Sequence, residues 1–228
     1  MKKIRVAIDG PAGAGKTTIA REVARRLGYK YVDTGAMYRA VAWKSLQECM
    51  PLSDEDAIVE LAGKMNIDFA EGDGSRIFVD GVDVSKAIRT PEVTKLSSPV
   101  SAISGVRRYL VAQQQRLAES GGVVMEGRDI GSVVLPDAEV KVFLTASVYE
   151  RAKRRYTEMK VAGMEVNIET LKHEIEERDH RDSTRSDSPL TKAPGAVVID
   201  ADHLSIEEVI QRVLELCDGR GGLLRPPE

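Results

Sequence analysis

Cysteine is nearly absent. Cys49 and Cys217 are the only two in 228 residues, and they lie too far apart to form a metal-like pair. A disulfide-stapled secreted scaffold is excluded, and free thiols of a reducing compartment are expected. Histidine is as scarce. His173, His180 and His203 show no ligand spacing and read as surface or capping residues. Aromatic residues make up 4% of the chain, and Trp43 and Tyr38 fall in one expected helix, where packing is their default role. No basic excess exists: 33 Lys and Arg face 36 Asp and Glu, for a net charge of −3. That excludes a non-specific nucleic-acid binder and makes any cationic site local. No apolar run approaches the ~18 residues of a membrane span. The opening MKKIRVAIDG is too short in apolar residues for a signal peptide. A cytoplasmic protein is expected, with neither membrane nor nucleic-acid polymer as partner.

What is present is an ordinary globular balance, 42% hydrophobic and 30% charged. Short Val/Ile-rich runs alternate with amphipathic stretches. Strands are expected near Ile4–Ile8, Tyr29–Val32, Gly122–Glu126, Val140–Leu144 and Val197–Asp200. A helix is expected from Lys16 to Leu27, stopped by Gly28. Others run from about Gly35 to Glu48, from a Ser53 cap to Met65, and from Thr90-Pro91 onward. Further helices are expected over about Val106–Glu119, from the capping boxes Ser147-x-x-Glu150 and Ser205-x-x-Glu208, and from Asn167. Between them, Ile67–Phe69 and Arg76–Val84 read as antiparallel strands with turns at Gly72-Asp73-Gly74 and Asp80-Gly81. The alternation implies an α/β fold with a parallel sheet covered on both faces. Ligands of such sheets sit at the carboxyl ends of the strands.

The strongest motif is Gly10-Pro11-Ala12-Gly13-Ala14-Gly15-Lys16-Thr17, which satisfies G-x-x-x-x-G-K-S/T between a strand and a helix. Its backbone N–H groups and the helix N-terminus suit phosphate, Lys16 suits the β and γ phosphates, and the Thr17 hydroxyl suits Mg²⁺. Thr18 continues the loop into the helix. The motif alone does not separate a kinase from other nucleotide-binding proteins. A guanine-reading N-K-x-D is missing, because Asn66 and Asn167 are both followed by Ile.

Basic residues recur at other strand and helix ends. Thr34 and Arg39 open the helix after the second strand. Arg178, Asp182 and Arg185 share one helical face. Met125-Glu126-Gly127-Arg128-Asp129-Ile130-Gly131 ends an apolar run in charges of both signs. Taken singly, the first is read first as a helix cap with an exposed arginine and the second as a solvated ion-pair face, while a surface turn is the plain reading of the third. Arg151, Arg154 and Arg155 form a further cluster, in which Glu150 and Arg154 fit a simple i,i+4 pair.

Together the stretches IDGPAGAGKTT, DTGAMYRA, DVSKAIRTPEV, EGRDIGSVVLPDA and ERDHRDSTRSD resemble the nucleoside monophosphate kinase family, specifically its bacterial cytidylate (CMP) kinase branch. They recur in order over about residues 4–216. The resemblance implies a P-loop three-layer fold of the adenylate-kinase type with a five-stranded parallel sheet. It implies a core domain of residues 1–35 and 90–218, with a lid at about 157–170. Residues 36–89 would form a monophosphate-binding domain with a β insertion at about 65–86, and 219–228 a disordered tail. It implies phosphoryl transfer from ATP, with Mg²⁺, to CMP or dCMP, by a monomer. Gly10 to Thr18 would hold ATP. Thr34, Arg39, Arg128 and Arg185 would hold the CMP phosphate, and Ser98, Arg107 and Asp129 would face cytosine. Arg178 and Asp182 would reach the ribose, and Lys16, Arg128, Arg154 and Arg178 would stabilise the transferring group. Thr34 stands where many members have serine and keeps the hydroxyl. The competing readings are a P-loop kinase for another small acceptor, such as shikimate, and a non-catalytic nucleotide-binding regulator.

Overall fold

The computed structural model describes residues 3–70, 76–161 and 163–219. The turn expected at Gly72-Asp73-Gly74, residue 162 of the expected lid, and tail residues 220–228 lie outside the described residues. The chain opens with β1 (Arg5–Asp9), α1 (Lys16–Leu27), β2 (Lys30–Asp33), α2 (Thr34–Gln47) and α3 (Glu55–Lys64). Three short strands follow, β3 (Ile67–Phe69), β4 (Ile77–Val79) and β5 (Val82–Asp83). Then come α4 (Pro91–Ala102), α5 (Ser104–Leu117), β6 (Val123–Gly127), a π-helical turn at Ile130–Val134, and β7 (Val140–Thr145). The last elements are α6 (Val148–Val161), α7 (Ile168–Thr184), β8 (Val197–Asp200) and α8 (Ile206–Asp218).

Five strands pair in parallel in the order β2-β6-β1-β7-β8. Side chains alternate between the two faces of each strand. Ile4, Val6 and Ile8 pack against Ile19, Val23 and Leu27 of α1 and Val209, Val213 and Leu214 of α8. Ala7 and Met125 face the other way, toward Met37 and Val41 of α2 and Val106 and Leu110 of α5. Ile8 is fully buried, so Ile8→Ala would cost about 2–5 kcal/mol. The antiparallel unit β3-β4-β5 turns at Asp80-Gly81, both with positive φ, as a tight hairpin requires. Its Ile67, Phe69, Ile77 and Val79 join the α2/α5 core. Gln113 of α5 clamps it by accepting from the Ile67 N–H and donating to the Met65 carbonyl.

Two caps differ from expectation. The α3 cap is Asp54, whose carboxylate accepts from Ala57 N–H, because the helix starts at Glu55, one residue later than a Ser53 cap requires. The Ser147 box is half made: Ser147 accepts from Glu150 N–H, but its own N–H goes to Asp202 at 2.6 Å. Thr90, Asn167 and Ser205 cap their helices, the last in a complete box. Register sets Asp9 beside Gly127 and Asp33 beside Glu126 at the carboxyl edge of the sheet.

Candidate active site

The phosphate loop leaves β1 at Asp9 and enters α1 at Lys16. Gly10 has φ 149°, and a Cβ there would lie 1.9 Å from the Leu144 carbonyl oxygen of β7. Only glycine fits this approach. Gly15 occupies the N-cap of α1 with no side-chain cap, so the first-turn N–H groups are not claimed by a capping side chain. Lys16 is buried, and its ammonium donates to the Pro11 carbonyl at 2.7 Å. Burial lowers its pKa, and Arg128 and Arg178 add to this against Glu126 and Asp9. A bound polyphosphate would reverse that balance and favour the ammonium.

Two cavities flank the loop. The larger, about 610 Å³, is bounded by Ala12 through Ile19, by Arg151, Arg154 and Arg155, and by apolar Leu204, Ile206 and Val209 near α8. The smaller, about 260 Å³, is polar. Thr34, Arg39, Ser98, Arg107, Arg128, Asp129, Arg178, Asp182 and Arg185 all line it. Ala12, Gly13, Lys16, Thr17 and Arg178 line both cavities and form the wall between them. Gly10 and Pro11 line neither; they shape the loop. The helical spacing of Arg178 and Asp182 on α7, with Arg185 just past its end, brings all three to the small cavity. The ion-pair-face reading of these residues is thus only half the account.

In the small cavity the cations lean on carboxylates. Arg39 donates to Asp33 at 2.8 Å, and Asp33 also caps α2 through the Ala36 N–H. Arg128 donates to Asp182 at 2.8 Å. Arg107 donates to Asp129, both being almost fully buried, and lies 5.4 Å over the Tyr38 ring. Arg185 approaches Asp129 at 3.9 Å. Burial would raise the Asp182 pKa, but Arg128, Arg178 and Arg185 outweigh it and hold the group low. Arg178 is itself depressed to about 10 by burial and by Arg128. The Nε atoms of Arg39, Arg107 and Arg178 and one Nη of Arg185 are buried without a hydrogen-bond partner. Buried unpaired donors call for an explanation, and the four arginines that carry these all line the small cavity.

On the other side, Arg154 donates to the Ala14 and Ala201 carbonyls at 3.2 and 2.7 Å. Arg151 is buried and ties the Ala12 and Ala146 carbonyls to Asp179 of α7. Arg155 borders the same cavity and pairs with Glu174 at 3.5 Å.

Sequence reasoning does not single out Asp9, and it leaves Glu126 between contacting a Mg²⁺-bound water and making a structural pair. Glu126 is buried at the end of β6, accepts from Tyr31 at 2.5 Å and is hydrogen-bonded by Thr17. Burial raises its pKa, Asp33 adds to the rise, and Lys16 opposes it. The Thr34 hydroxyl donates to the Glu126 carbonyl at 2.7 Å. A Cβ on Gly127 would meet that hydroxyl at 2.7 Å and Ile130 at 2.6 Å, so Gly127 permits the packing. Asp9 is buried with its carboxylate on the Ile130 and Gly131 N–H groups. Tyr38, expected only to pack, also lines the small cavity. The sole sequence signal for Asp9 and Glu126 was acidic residues ending apolar strands. His173, His180 and His203 are exposed, and no metal-like cluster of three His, Cys, Asp or Glu occurs among the described residues.

A family model described as cytidylate kinase matches residues 6–218. Over 212 residues the chain is 53% identical to the cytidylate kinase of Caldanaerobacter subterraneus subsp. tengcongensis, covering 93% of each. It is 49% identical over 219 residues to the cytidylate kinase of Bacillus cereus, covering 96% of this chain and 97% of that one. Among solved structures, an uncharacterised protein from Eubacterium ventriosum superimposes with TM-score 0.55 at 12% identity, covering 96% and 100% of the two chains. Shikimate kinase from Bacteroides thetaiotaomicron gives 0.50 at 16% identity, covering 94% and 98%. At these identities the two structures speak to the fold alone.

Proposed function

The chain belongs to the cytidylate kinase family, and on that premise we propose that it transfers the γ-phosphoryl group of ATP to CMP or dCMP, giving ADP and CDP or dCDP. The observation that carries this reading is the shared wall. Lys16, Thr17 and Arg178 border both the loop-side cavity and the anion-seeking one. A phosphoryl group passing in line between the two crosses that wall.

ATP takes the larger cavity, with its phosphates on residues 12–18 and its base toward Leu204, Ile206 and Val209. Arg39, Arg128 and Arg185, with Thr34, hold the CMP phosphate, and their charge offsets repulsion between the two phosphates. Asp129 accepts from the cytosine N4 amino group, and Arg107 donates to N3 and O2, with Ser98 beside the base. Uracil would turn an O4 lone pair toward Asp129, and a buried site of this kind rejects such a mismatch strongly. Asp182 and Arg178 face the ribose. Lys16, Arg128, Arg178 and Arg154 stabilise charge on the transferring group. No general base is needed, because the attacking phosphate oxygen already carries negative charge.

Mg²⁺ fits the oxygen-rich corner where Thr17 meets Glu126, with Asp33 close by. Thr17 would hold the ion, and the two carboxylates would balance it; bound there, it supplies charge neutralisation on the polyphosphate. Residues about 157–170 form a lid that excludes water when closed. Residues 36–89 form the monophosphate-binding part, and 1–35 with 90–218 the core. The enzyme acts as a monomer in the cytoplasm. No helix among the described residues is long and apolar enough to cross a membrane.

A coupled ADP-release assay over CMP, dCMP, UMP, AMP, GMP and shikimate tests the reading. CMP and dCMP should lead. Faster turnover of AMP or shikimate would overturn the cytosine assignment, and ATP binding without turnover of any acceptor would point to a regulator.

A further inference from the structure

We infer that Asp9 is a positioning residue for base recognition: it caps the turn that follows Asp129 and so leaves the Asp129 carboxylate free to face the acceptor. The inference rests on the reading of Asp129 as the residue that accepts from the cytosine amino group.

Asp129 occupies the N-cap position of the turn Ile130–Val134, with φ −145° and ψ 22°. Its carbonyl accepts from the Val133 and Val134 N–H groups and so starts the turn. An aspartate at this position commonly folds its side chain back onto the first N–H groups of its own helix. Asp129 does not. It makes no side-chain cap, and its carboxylate meets Arg107 and Arg185 in the cavity wall instead. The N–H groups of Ile130 and Gly131 would then be orphaned inside the protein, a costly state.

Asp9 removes that cost from a distant part of the chain. One carboxylate oxygen accepts from Ile130 N–H at 2.8 Å and the other from Gly131 N–H at 2.8 Å. The side chain belongs to the last residue of β1 and is 3% exposed. Burial raises its pKa and the two N–H groups oppose the rise; of its charged neighbours, Asp129 adds to it and Lys16 lowers it. Asp9 therefore lies between the phosphate loop and the base-reading carboxylate while itself lining neither substrate cavity. Without Asp9, the carboxylate best placed to serve these N–H groups is Asp129 itself, and capping would withdraw it from the base.

Asp9→Asn tests this, because an amide presents one carbonyl acceptor to two N–H groups. kcat/KM for CMP and UMP is measured in the wild type, D9N, D129A and the double variant. D9N should lower the CMP:UMP ratio by about tenfold or more, while KM for ATP stays near the wild-type value. In the D129A background D9N should change the ratio no further. An intact ratio in D9N beside a collapsed one in D129A overturns the role of Asp9 and spares that of Asp129. An intact ratio in D129A overturns the reading of Asp129 itself. A further fall in the double variant means Asp9 acts by another route and also overturns the inference. Should D9N not fold, wild-type amide exchange decides. Ile130 and Gly131 should exchange slowly with and without CMP, and rapid exchange of both in the folded protein removes the cap.

Discussion

The two cavities beside the phosphate loop hold their arginines by different acceptors. On the loop side, Arg154 and the buried Arg151 donate mostly to main-chain carbonyls, those of Ala12, Ala14, Ala146 and Ala201. On the other side, Arg39, Arg107 and Arg128 each lean on a carboxylate, Asp33, Asp129 or Asp182, although Arg107 and Arg128 also donate to the Ser101 and Gly127 carbonyls. A carbonyl-bound guanidinium is part of the scaffold, and a ligand gains only its unused donors. A carboxylate-paired one is charge-compensated while empty and can be drawn toward a doubly charged phosphate. The first arrangement fixes the loop's shape. The second keeps several buried cations from destabilising the fold, and it makes binding an exchange of anions.

Breaking the wall between the cavities should have the largest effect. Lys16→Ala should lower turnover with every acceptor by about a thousandfold or more, read by ADP release. Activity retained with any acceptor would separate Lys16 from the transfer step. Arg178→Ala should follow at about a thousandfold in kcat, with smaller changes in KM for either substrate. A change confined to KM for CMP would assign Arg178 to the acceptor side alone. Asp129→Ala touches only that side. It should cut the CMP:UMP ratio by about a hundredfold and leave ATP binding nearly intact. Arg151→Lys tests the carbonyl-bound class. Lysine cannot span Ala12, Ala146 and Asp179 at once, so KM for ATP should rise about tenfold while the CMP:UMP ratio holds. A shifted ratio would mean that the loop and the base site are coupled through α7.

The same contrast explains what was legible in the sequence. The phosphate-loop wall of the larger cavity is one consecutive run, residues 12–19, and its glycine spacing and the α1 periodicity declare it. Thr90-Pro91 and Ser205-x-x-Glu208 likewise carry their own chemistry within four residues. The small cavity draws on residues scattered from Ala12 to Arg185, and beyond the phosphate loop only resemblance assembled them. Residues whose partners are remote stayed hidden. Asp9 bonds across 121 and 122 positions, and Arg151 reaches Ala12 across 139. The π-helical turn at Ile130–Val134 has no local signature either, because its cap arrives from β1. Ser53 failed as a cap because Asp54, one residue on, offered a competing acceptor that sequence alone did not rank.

The two edges of the sheet give a final and smaller contrast. At the amino edge, burial alone would raise the Glu139 pKa, but the Arg5 main-chain N–H and guanidinium outweigh it and hold the group at about 2. At the carboxyl edge, burial lifts Asp9 from 3.8 to about 6, although two N–H groups oppose it. The signs of their pH effects are therefore opposite. For Glu139 the unfolded chain binds more protons between about 2 and 4.5, so its stabilisation is complete above that window and fades as pH falls through it. For Asp9 the folded chain binds more protons between about 4 and 6, so stability declines as pH rises through that range. Glu139→Gln should cost about 1 kcal/mol at neutral pH, or about 2–4 °C in Tm, and flatten the urea-denaturation profile below about pH 4.5. Asp9→Asn should instead remove the downward slope between about pH 4 and 6. Parallel profiles for the wild type and both variants would show that neither edge carries the linkage, whereas a change at only one edge would locate the protons there.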